Sequence, residues 1–180
     1  MKYILLPIHP EWCCKFMNGD KETEVRRRTV LYNAINKLIK EQGKAPFLMY
    51  CTQGKEKLFD NVPCVPRFRV SKNYRLNNYL NGKVIAQFDA SAEIISFEEQ
   101  GDDDFGCNPW FYETDTLDEN DLLKRSCLSN DELDRYLNAG DGTAIHVKPG
   151  TMKTVGFPKN LSDYGIKKAP QSFMYVEVDE

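Results

Sequence analysis

The chain has 180 residues, of which 41% are hydrophobic, 12% aromatic and 28% charged. This composition excludes a collagen-like chain, a wholly disordered chain and a small disulfide-rich protein. The length favours a single domain over residues 1–180, and no apolar run approaches the roughly 20 residues of a membrane span.

The formal net charge of −3 hides an uneven distribution of charge along the chain. Residues 98–121 carry ten acidic side chains and no lysine or arginine, which leaves 24 basic against 17 acidic side chains elsewhere. The rest of the chain therefore has a net charge of +7 and is compatible with an anionic partner. The acidic residues form either a solvated loop or a surface for a protein partner.

Cysteine usage and the N-terminal pattern predict a cytoplasmic protein. Pro7 and Pro10 interrupt the apolar N-terminal stretch, so it does not match a signal peptide. No C-x-x-C and no Cys/His grouping with zinc spacing is present, so we expect free thiols and neither a metal nor an organic cofactor. The six cysteines are Cys13, Cys14, Cys51, Cys64, Cys107 and Cys127.

Strand and helix patterns alternate in the first third of the chain. Gly19 and Gly43 each follow a segment with apolar side chains at helical spacing, and glycine commonly ends a helix in a left-handed conformation. The patterns predict strands over 2–8, 21–28 and 47–52, and helices over 11–18 and 29–42.

The later part of the chain is less regular. Residues 53–82 form a basic, irregular excursion, and residues 98–126 form an acidic loop whose aromatic run is expected to dock on the core. Ser129 and Glu132 have the spacing of a capping box that opens a helix. The remaining segments predict a short strand at 67–70, strands over 83–97, 143–148 and 172–178, and a loop or short helical turn over 158–164.

The predicted elements define the fold class. About six strands and three helices are interleaved without regular βα alternation, which argues against a doubly wound sheet. We therefore predict an α+β fold, built as a small mixed, mostly antiparallel β-barrel with peripheral helices.

One short motif carries chemistry. Residues 19–26 have the pattern G-x-K-x-x-E-x-R. Alternation along a strand places Glu24, Arg26 and Arg28 on one face, with Lys21 at the entrance of the strand. Guanidinium groups bind phosphate with two hydrogen bonds, and a carboxylate accepts from a base amine, so this face suits a planar anionic ligand. The alternative is the solvated face of an edge strand.

The motif resembles that of the ASCH family. Three further segments resemble members of this family in the same order: the start ILLPIHPEW, the N-G-K turn at 81–83 that enters a central strand, and the tail APQSFMYV. The resemblance is to the longer members, often found in phages and prophages, and it implies a barrel of the PUA-like type.

This resemblance implies a module that binds RNA or a modified nucleotide in a cleft on the barrel, with the motif residues on its wall. Polar residues that enter the last strand are placed to read a base at the barrel rim. The expected ligand-binding residues are Gly19, Lys21, Glu24, Arg26, Arg28, Gln171 and Ser172.

The resemblance also implies an alternative activity, because some small ASCH proteins are amidohydrolases that remove the acyl group of N4-acetylcytidine. These enzymes use the motif lysine, a threonine three residues later and a later glutamate. Lys21 matches, but Glu24 stands at the threonine position. Lys21 and Glu24 are therefore the catalytic candidates, with Glu93 and Glu98 as rough candidates for the later glutamate. A third possibility is a phage-encoded interaction protein that uses residues 98–121.

Five other residues are weaker candidates. His146 lies between two apolar strand residues and therefore points away from them, toward solvent or the barrel mouth. Aromatic side chains can stack on a base, but core packing is their commoner role. The aromatic candidates are Tyr50, Trp110, Phe111 and Tyr112. The sequence leaves the oligomeric state open.

Overall fold

The computed structural model describes residues 1–60, 68–72, 79–99 and 110–178, except for the side chains of Glu99 and Trp110. The strands are β1 (Lys2–Ile8), β2 (Thr23–Arg27), β3 (Pro46–Cys51), β4 (Lys57–Phe59), β5 (Arg69–Ser71), β6 (Lys83–Glu99), β7 (Trp110–Glu113), β8 (Gly142–Val147), β9 (Lys153–Asn160) and β10 (Met174–Glu177). The helices are α1 (Pro10–Asn18), α2 (Val30–Gln42), α3 (Glu119–Ser126), α4 (Asn130–Leu137) and a 3₁₀ helix (Leu161–Tyr164).

The main sheet has the strand order β10-β1-β3-β6-β8-β2, and β7 and β9 also pair with β6. The β1–β3 pair is parallel, and the other pairs are antiparallel. Strands β4 and β5 form a separate two-stranded sheet. The molecule is therefore a mixed α+β fold with a mostly antiparallel sheet, as predicted. Closure of that sheet into a barrel stays a prediction.

Strand β6 is the common partner of four strands. Its first part pairs with β3 and β9, and its second part pairs with β8 through 90–95 and with β7 through 96–99. A strand of 17 residues is far longer than the usual five or six, and here the length connects the two halves of the fold.

Three groups of buried side chains hold the layers together. In the first, apolar residues of α1 and α2, such as Ile35 and Leu38, share a core with β1, β3 and β6. In the second, α3 and α4 cover the second half of β6, and Leu133 and Leu137 pack with Val25. The third lies around Leu5 on the other side of β1 and β3. Helix α4 and strand β2 thus share one core, which fixes their relative position.

Several predicted elements are confirmed within a residue or two. Helix α2 begins at Val30 and ends at Gln42, and Gly43 follows with a φ of 77°. Ser129 and Glu132 form the expected capping box at the start of α4. None of the helices in the described ranges is long and apolar enough to cross a membrane.

The prediction of a loop over 98–126 is wrong for its described part. Residues 110–113 form β7, and residues 119–126 form α3. The Asp118 carboxylate caps α3 by accepting from the Asp121 N–H, and Leu122 of α3 is buried in the second core. Tyr112 is buried as well, so the aromatic run docks on the core as expected. Residues 100–109 lie outside the described residues.

Two further strands, β4 and β9, were not predicted. Residues 57–59 pair with β5 inside the basic excursion, and β5 itself lies at 69–71, slightly later than expected. Residues 61–67 and 73–78 of that excursion lie outside the described ranges. Strand β9 contains Gly156 and Pro158, residues that are depleted in strands, and its pattern of burial is mostly exposed. The described ranges hold ten strands and four α-helices, more than the sequence predicts.

Candidate functional site

The motif residues line a cavity of about 390 Å³, which we call the motif cavity. Strand β2, helix α1, helix α4 and the segment before β10 contribute its walls. A volume of this size is within the usual range of small-molecule sites. Its lining residues are Pro7, His9, Trp12, Lys21, Glu24, Val25, Arg26, Thr52, Leu128, Glu132, Tyr136, Pro170 and Gln171.

Lys21 is buried at the entrance of β2. Gly19 ends α1 with a φ of 82°, and the turn that follows directs the chain into the strand. The Lys21 side chain donates to the carbonyl of Ser126, and its Nζ lies 4.8 Å from the centre of the Trp12 ring. Burial lowers the pKa of Lys21, and the nearby Glu24 carboxylate opposes that change.

Glu24 contacts both motif cations. Its Oε2 lies 3.5 Å from Nζ of Lys21, and its Oε1 lies 3.0 Å from Nη2 of Arg26. The same Nη2 donates to the carbonyl of Pro7 at 2.5 Å, whereas Nε of Arg26 is buried and has no hydrogen-bond partner among the described residues. The three side chains form one ionic cluster with a net charge of about +1 and an unused donor. Glu24 therefore pairs with both motif cations.

The strand alternation does not extend to Arg28. Strand β2 ends at Arg27, and Arg28 has a φ of 69°, in the left-handed region. The hydroxyl of Thr143 donates to the Arg28 carbonyl, and the Arg28 side chain is exposed. The prediction that Arg28 shares a face with Glu24 and Arg26 is therefore wrong, because the backbone turns before that residue.

The other expected ligand-binding residues are divided. Gln171 lines the motif cavity, whereas Ser172 and Gly19 do not. Gly19 lines a neighbouring cavity of about 360 Å³, together with His146 and Arg125. Lys21 lines both cavities. The structure therefore brings together Lys21, Glu24, Arg26 and Gln171.

Sequence reasoning missed the aromatic walls of the cavity. Trp12 of α1 and Tyr136 of α4 line it, and neither was among the aromatic candidates from the sequence. Tyr136 is 43% exposed, more than is usual for a residue on the core-facing side of a helix. Tyr50 and Tyr112 are instead buried in the third and second cores, as the commoner role of aromatic residues predicts.

Glu132 also lines the cavity but is held by its helix cap. Its carboxylate accepts from the backbone N–H of Ser129 at 2.8 Å and from the Ser129 hydroxyl at 2.9 Å. These hydrogen bonds lower the pKa of Glu132. The carboxylate that faces the motif cations is therefore Glu24, and Glu132 serves mainly the cap.

His146 belongs to a separate hydrogen-bonded group outside the motif cavity. Its Nδ1 lies 3.0 Å from the Thr23 hydroxyl, and its Nε2 lies 3.8 Å from Oε2 of Glu93. Burial lowers the pKa of His146, whereas Glu93 raises it and Arg125 lowers it. Glu93 in turn accepts from the hydroxyl of Thr116 at 2.6 Å.

The two rough candidates for a later glutamate do not reach the motif. Burial alone would raise the pKa of Glu93, but hydrogen bonds from Thr114 and Thr116 and the nearby His146 lower it overall. Glu98 is exposed and pairs with Phe111 of β7. Neither residue lines the motif cavity, so Glu24 is the carboxylate next to Lys21.

The fold agrees with the one expected from the resemblance to ASCH proteins. No protein-family model matches the sequence, and no curated protein matches it closely. Among solved structures, the chain is similar to a point mutant of ZmASCH from Zymomonas mobilis, with 16% identity and a TM-score of 0.52. The match covers 97% of this chain and 88% of that chain.

A second structure, ASCH from Zymomonas mobilis, is 15% identical, with a TM-score of 0.49 over 97% of this chain and 87% of that chain. At 16% identity, the likeness to the ZmASCH mutant shows the fold alone. The chain therefore has the fold of an ASCH protein, and the resemblance stated from the motif is confirmed at that level. The relation to phage-type members stays a prediction.

Proposed function

We propose that this chain binds RNA or a modified nucleotide in the motif cavity. The observation that carries this proposal is the convergence of Lys21, Glu24 and Arg26 in one cavity with aromatic walls. The ASCH fold supports the proposal, because the sequence resemblance to that family implies the same class of ligand.

The polar groups of the cavity suit the edge of a nucleobase. Nε of Arg26 is a buried donor without a partner in the part of the chain that the structure describes, and a base carbonyl or ring nitrogen would satisfy it. Glu24 offers carboxylate oxygens to an exocyclic amine on the same edge. This donor and acceptor together match a base edge that carries both a hydrogen-bond acceptor and an exocyclic amine.

The apolar groups suit the faces of a base. Trp12 is held by cation–π contacts from Lys15 at 4.6 Å and from Lys21 at 4.8 Å. Tyr136 lies on α4, whose position is fixed by the second core. Aromatic rings in such a cavity stack on a flipped or unpaired base, with a gain of about 1–3 kcal/mol per base.

Arginine variants give a matched test of the proposal. Arg26 and Arg27 are adjacent, but Arg26 lines the cavity and Arg27 is exposed. We expect Arg26→Ala and Lys21→Ala to weaken the binding of mononucleotides and short RNA at least about tenfold, and Arg27→Ala to bind like the wild type within about twofold. Calorimetric titration measures the affinities, and thermal unfolding verifies that the variants are folded. Equal affinities of Arg26→Ala and Arg27→Ala would contradict the proposal.

A second candidate function is hydrolysis of an N4-acylated cytidine. The observation that favours it is the burial of Lys21, which lowers its pKa, at 3.5 Å from the Glu24 carboxylate. A lysine of this kind, or the carboxylate, can accept a proton from water as the water oxygen bonds to the acyl carbonyl carbon. The C–N bond then breaks, the base amine takes the proton, and a carboxylic acid is released.

Mass spectrometry of N4-acetylcytidine incubated with the wild type and with Lys21→Ala tests this second function. Turnover that disappears in the variant supports hydrolysis. Absence of turnover by the wild type at high enzyme concentration leaves binding as the function. The proposed interaction role of residues 98–121 stays a prediction, because residues 100–109 lie outside the described part of the chain.

A further inference from the structure

A further concave surface lies along strand β9, and no motif residue lines it. It consists of a cavity of about 430 Å³ and one of about 190 Å³, and both are lined by Tyr3 and Gln87. Because they meet at these two residues, we describe them together as the β9 groove. The larger part lies next to Phe157 and Tyr164, and the smaller part next to Lys44 and Lys153.

The shape of β9 exposes an aromatic side chain. Ala86 pairs with Thr154, but Val84 pairs with Lys159, so four residues of β9 face a single residue of β6. The extra residues arch away from the sheet, as in a large bulge. Phe157 lies in this arch and is 88% exposed. Its ring is therefore available to a partner and contributes little to the folded core.

The groove is cationic. Lys44, Lys153 and Lys159 line it, and none of them forms an ion pair within the part of the chain that the structure describes. Asp89 is the acidic side chain in the lining. The segment 148–168 contains five lysines and one acidic residue, Asp163, which caps the 3₁₀ helix.

We propose that the β9 groove binds single-stranded nucleic acid, with phosphates on its lysines and an unpaired base stacked on Phe157. An exposed aromatic face beside spaced cations is the arrangement by which proteins bind single strands with little sequence preference. A base inside a duplex is already stacked and does not offer its face to such a ring. The proposal goes beyond the motif cavity, because it concerns a separate surface and a ligand of several nucleotides.

Two other partners fit the observations less well. An acidic peptide would pair with the lysines but would leave the Phe157 ring without a matching group. A bilayer would accept the ring, but a single exposed apolar side chain supplies too little buried area for stable attachment. Nucleic acid uses both features.

Fluorescence anisotropy with labelled 12-nucleotide oligouridine RNA and oligothymidine DNA tests the proposal. The Lys153→Gln/Lys159→Gln variant is compared with Lys37→Gln/Lys40→Gln, in which both lysines are exposed on α2. Loss of two phosphate contacts should reduce the slope of log K against log salt by about 1.4, and the α2 variant should keep the wild-type slope. Phe157→Ala should weaken binding about 5- to 150-fold, whereas Val30→Ala, another exposed apolar position, should not.

The outcomes separate this proposal from the proposed function. If the β9 variants weaken the 12-mer and leave mononucleotide binding unchanged, the groove is supported, whatever Arg26→Ala does. If the β9 variants bind the 12-mer like their controls while Arg26→Ala weakens it, the groove is excluded and the motif cavity stands. Binding to anionic phospholipid vesicles that depends on Phe157, without any effect of Phe157 on the 12-mer, would also overturn the proposal. If the β9 variants do weaken binding of the 12-mer, a comparison of RNA with DNA shows which groups the groove contacts. Equal affinities would indicate phosphates and bases, and tighter binding of RNA would also indicate the 2′-hydroxyl groups.

Discussion

Glu24 determines the charge balance of the motif cavity. Its carboxylate lies between a buried ammonium and a guanidinium, and the second core behind β2 keeps the strand in place. Without that carboxylate, two cations would face each other in a poorly solvated place. Lys21 would still donate to the Ser126 carbonyl and Arg26 to the Pro7 carbonyl, which would offset part of the lost attraction.

Glu24→Gln is therefore expected to lower the free energy of unfolding by about 3 kcal/mol, because it leaves Lys21 as a buried charge without its partner. It should also lower the pKa of Lys21 further, since the Glu24 charge raises that pKa. Urea unfolding measures the first effect, and a titration of the Lys21 Cε chemical shift measures the second. Glu41→Gln, which breaks the exposed pair with Lys37, should cost less than about 0.5 kcal/mol. Equal losses in both variants would contradict a structural role for the Glu24 charge.

His146 predicts a dependence of stability on pH. Burial lowers its pKa below the ordinary value of 6.5, so the unfolded chain binds a proton before the folded chain does as the pH falls. Stability is therefore lost as the pH falls through the ordinary value toward the folded pKa. The groups that face the imidazole are the Thr23 hydroxyl, the Glu93 carboxylate and the Arg125 guanidinium.

When the pH falls from about 7.5 to about 5.5, the free energy of unfolding should decrease less in His146→Asn than in the wild type. For one proton, the difference between the two decreases is at most about 1.4 kcal/mol per pH unit. The pKa of Glu93 lies below its ordinary 4.5, so Glu93 stays ionised over this range. Urea unfolding at the two pH values measures the difference, and His9→Asn at an exposed position is the control. A wild type and a His146→Asn variant with the same loss would refute this role of His146.

At the level of single elements, sequence patterns predict those whose periodicity is local. Helices α1 and α2 have apolar faces and glycine caps, and both form where the pattern places them. Strand β7 and helix α3 were missed because the acidic segment that contains them resembles a loop, yet buried side chains such as Tyr112 and Leu122 pack both elements on the core. Strand β9 was missed because its pairing with β6, rather than its own composition, makes it a strand.

The start of β8 is tightly packed against a helix and a neighbouring strand. Gly142 pairs with Arg27, and a Cβ there would lie 2.8 Å from Cδ2 of Leu137 and 3.0 Å from the carbonyl oxygen of Arg26. The leucine side chain can rotate, but the carbonyl belongs to the strand that carries the motif. Helix α4, strand β2 and strand β8 can approach one another this closely because the residue has no side chain.

Gly142→Ala is accordingly expected to lower the free energy of unfolding by about 1–3 kcal/mol, as overpacking does in other tightly packed cores. Gly156→Ala is the matched control, because a Cβ at that position has no described neighbour within 4 Å. It should change stability by less than about 0.5 kcal/mol. Chemical unfolding of the two variants measures both values, and a similar loss in each would show that contact at Gly142 is not the cause.

For the whole molecule, composition and strand patterns are sufficient to predict an α+β fold, but they do not determine the order of strands in the sheet. The motif chemistry was predictable, because Lys21, Glu24 and Arg26 lie within one short segment. The aromatic walls were not, because Trp12 and Tyr136 meet only when α1 and α4 pack on the same sheet. Contacts between residues far apart in sequence depend on the complete topology.

The position of β2 in the sheet has a consequence for synthesis on the ribosome. Among the described strands, β2 pairs with β8 alone, and Lys21 donates to a carbonyl at the end of α3. A nascent chain that has passed residue 28 has already made its motif, yet strand β8 and the Ser126 carbonyl lie about a hundred residues or more ahead. This early segment of the chain is thus completed late, and until residue 147 emerges Lys21 and Arg26 lack the complete cavity that surrounds them in the folded protein. Chaperones and cellular RNA would meet this cationic strand before the cavity around it exists.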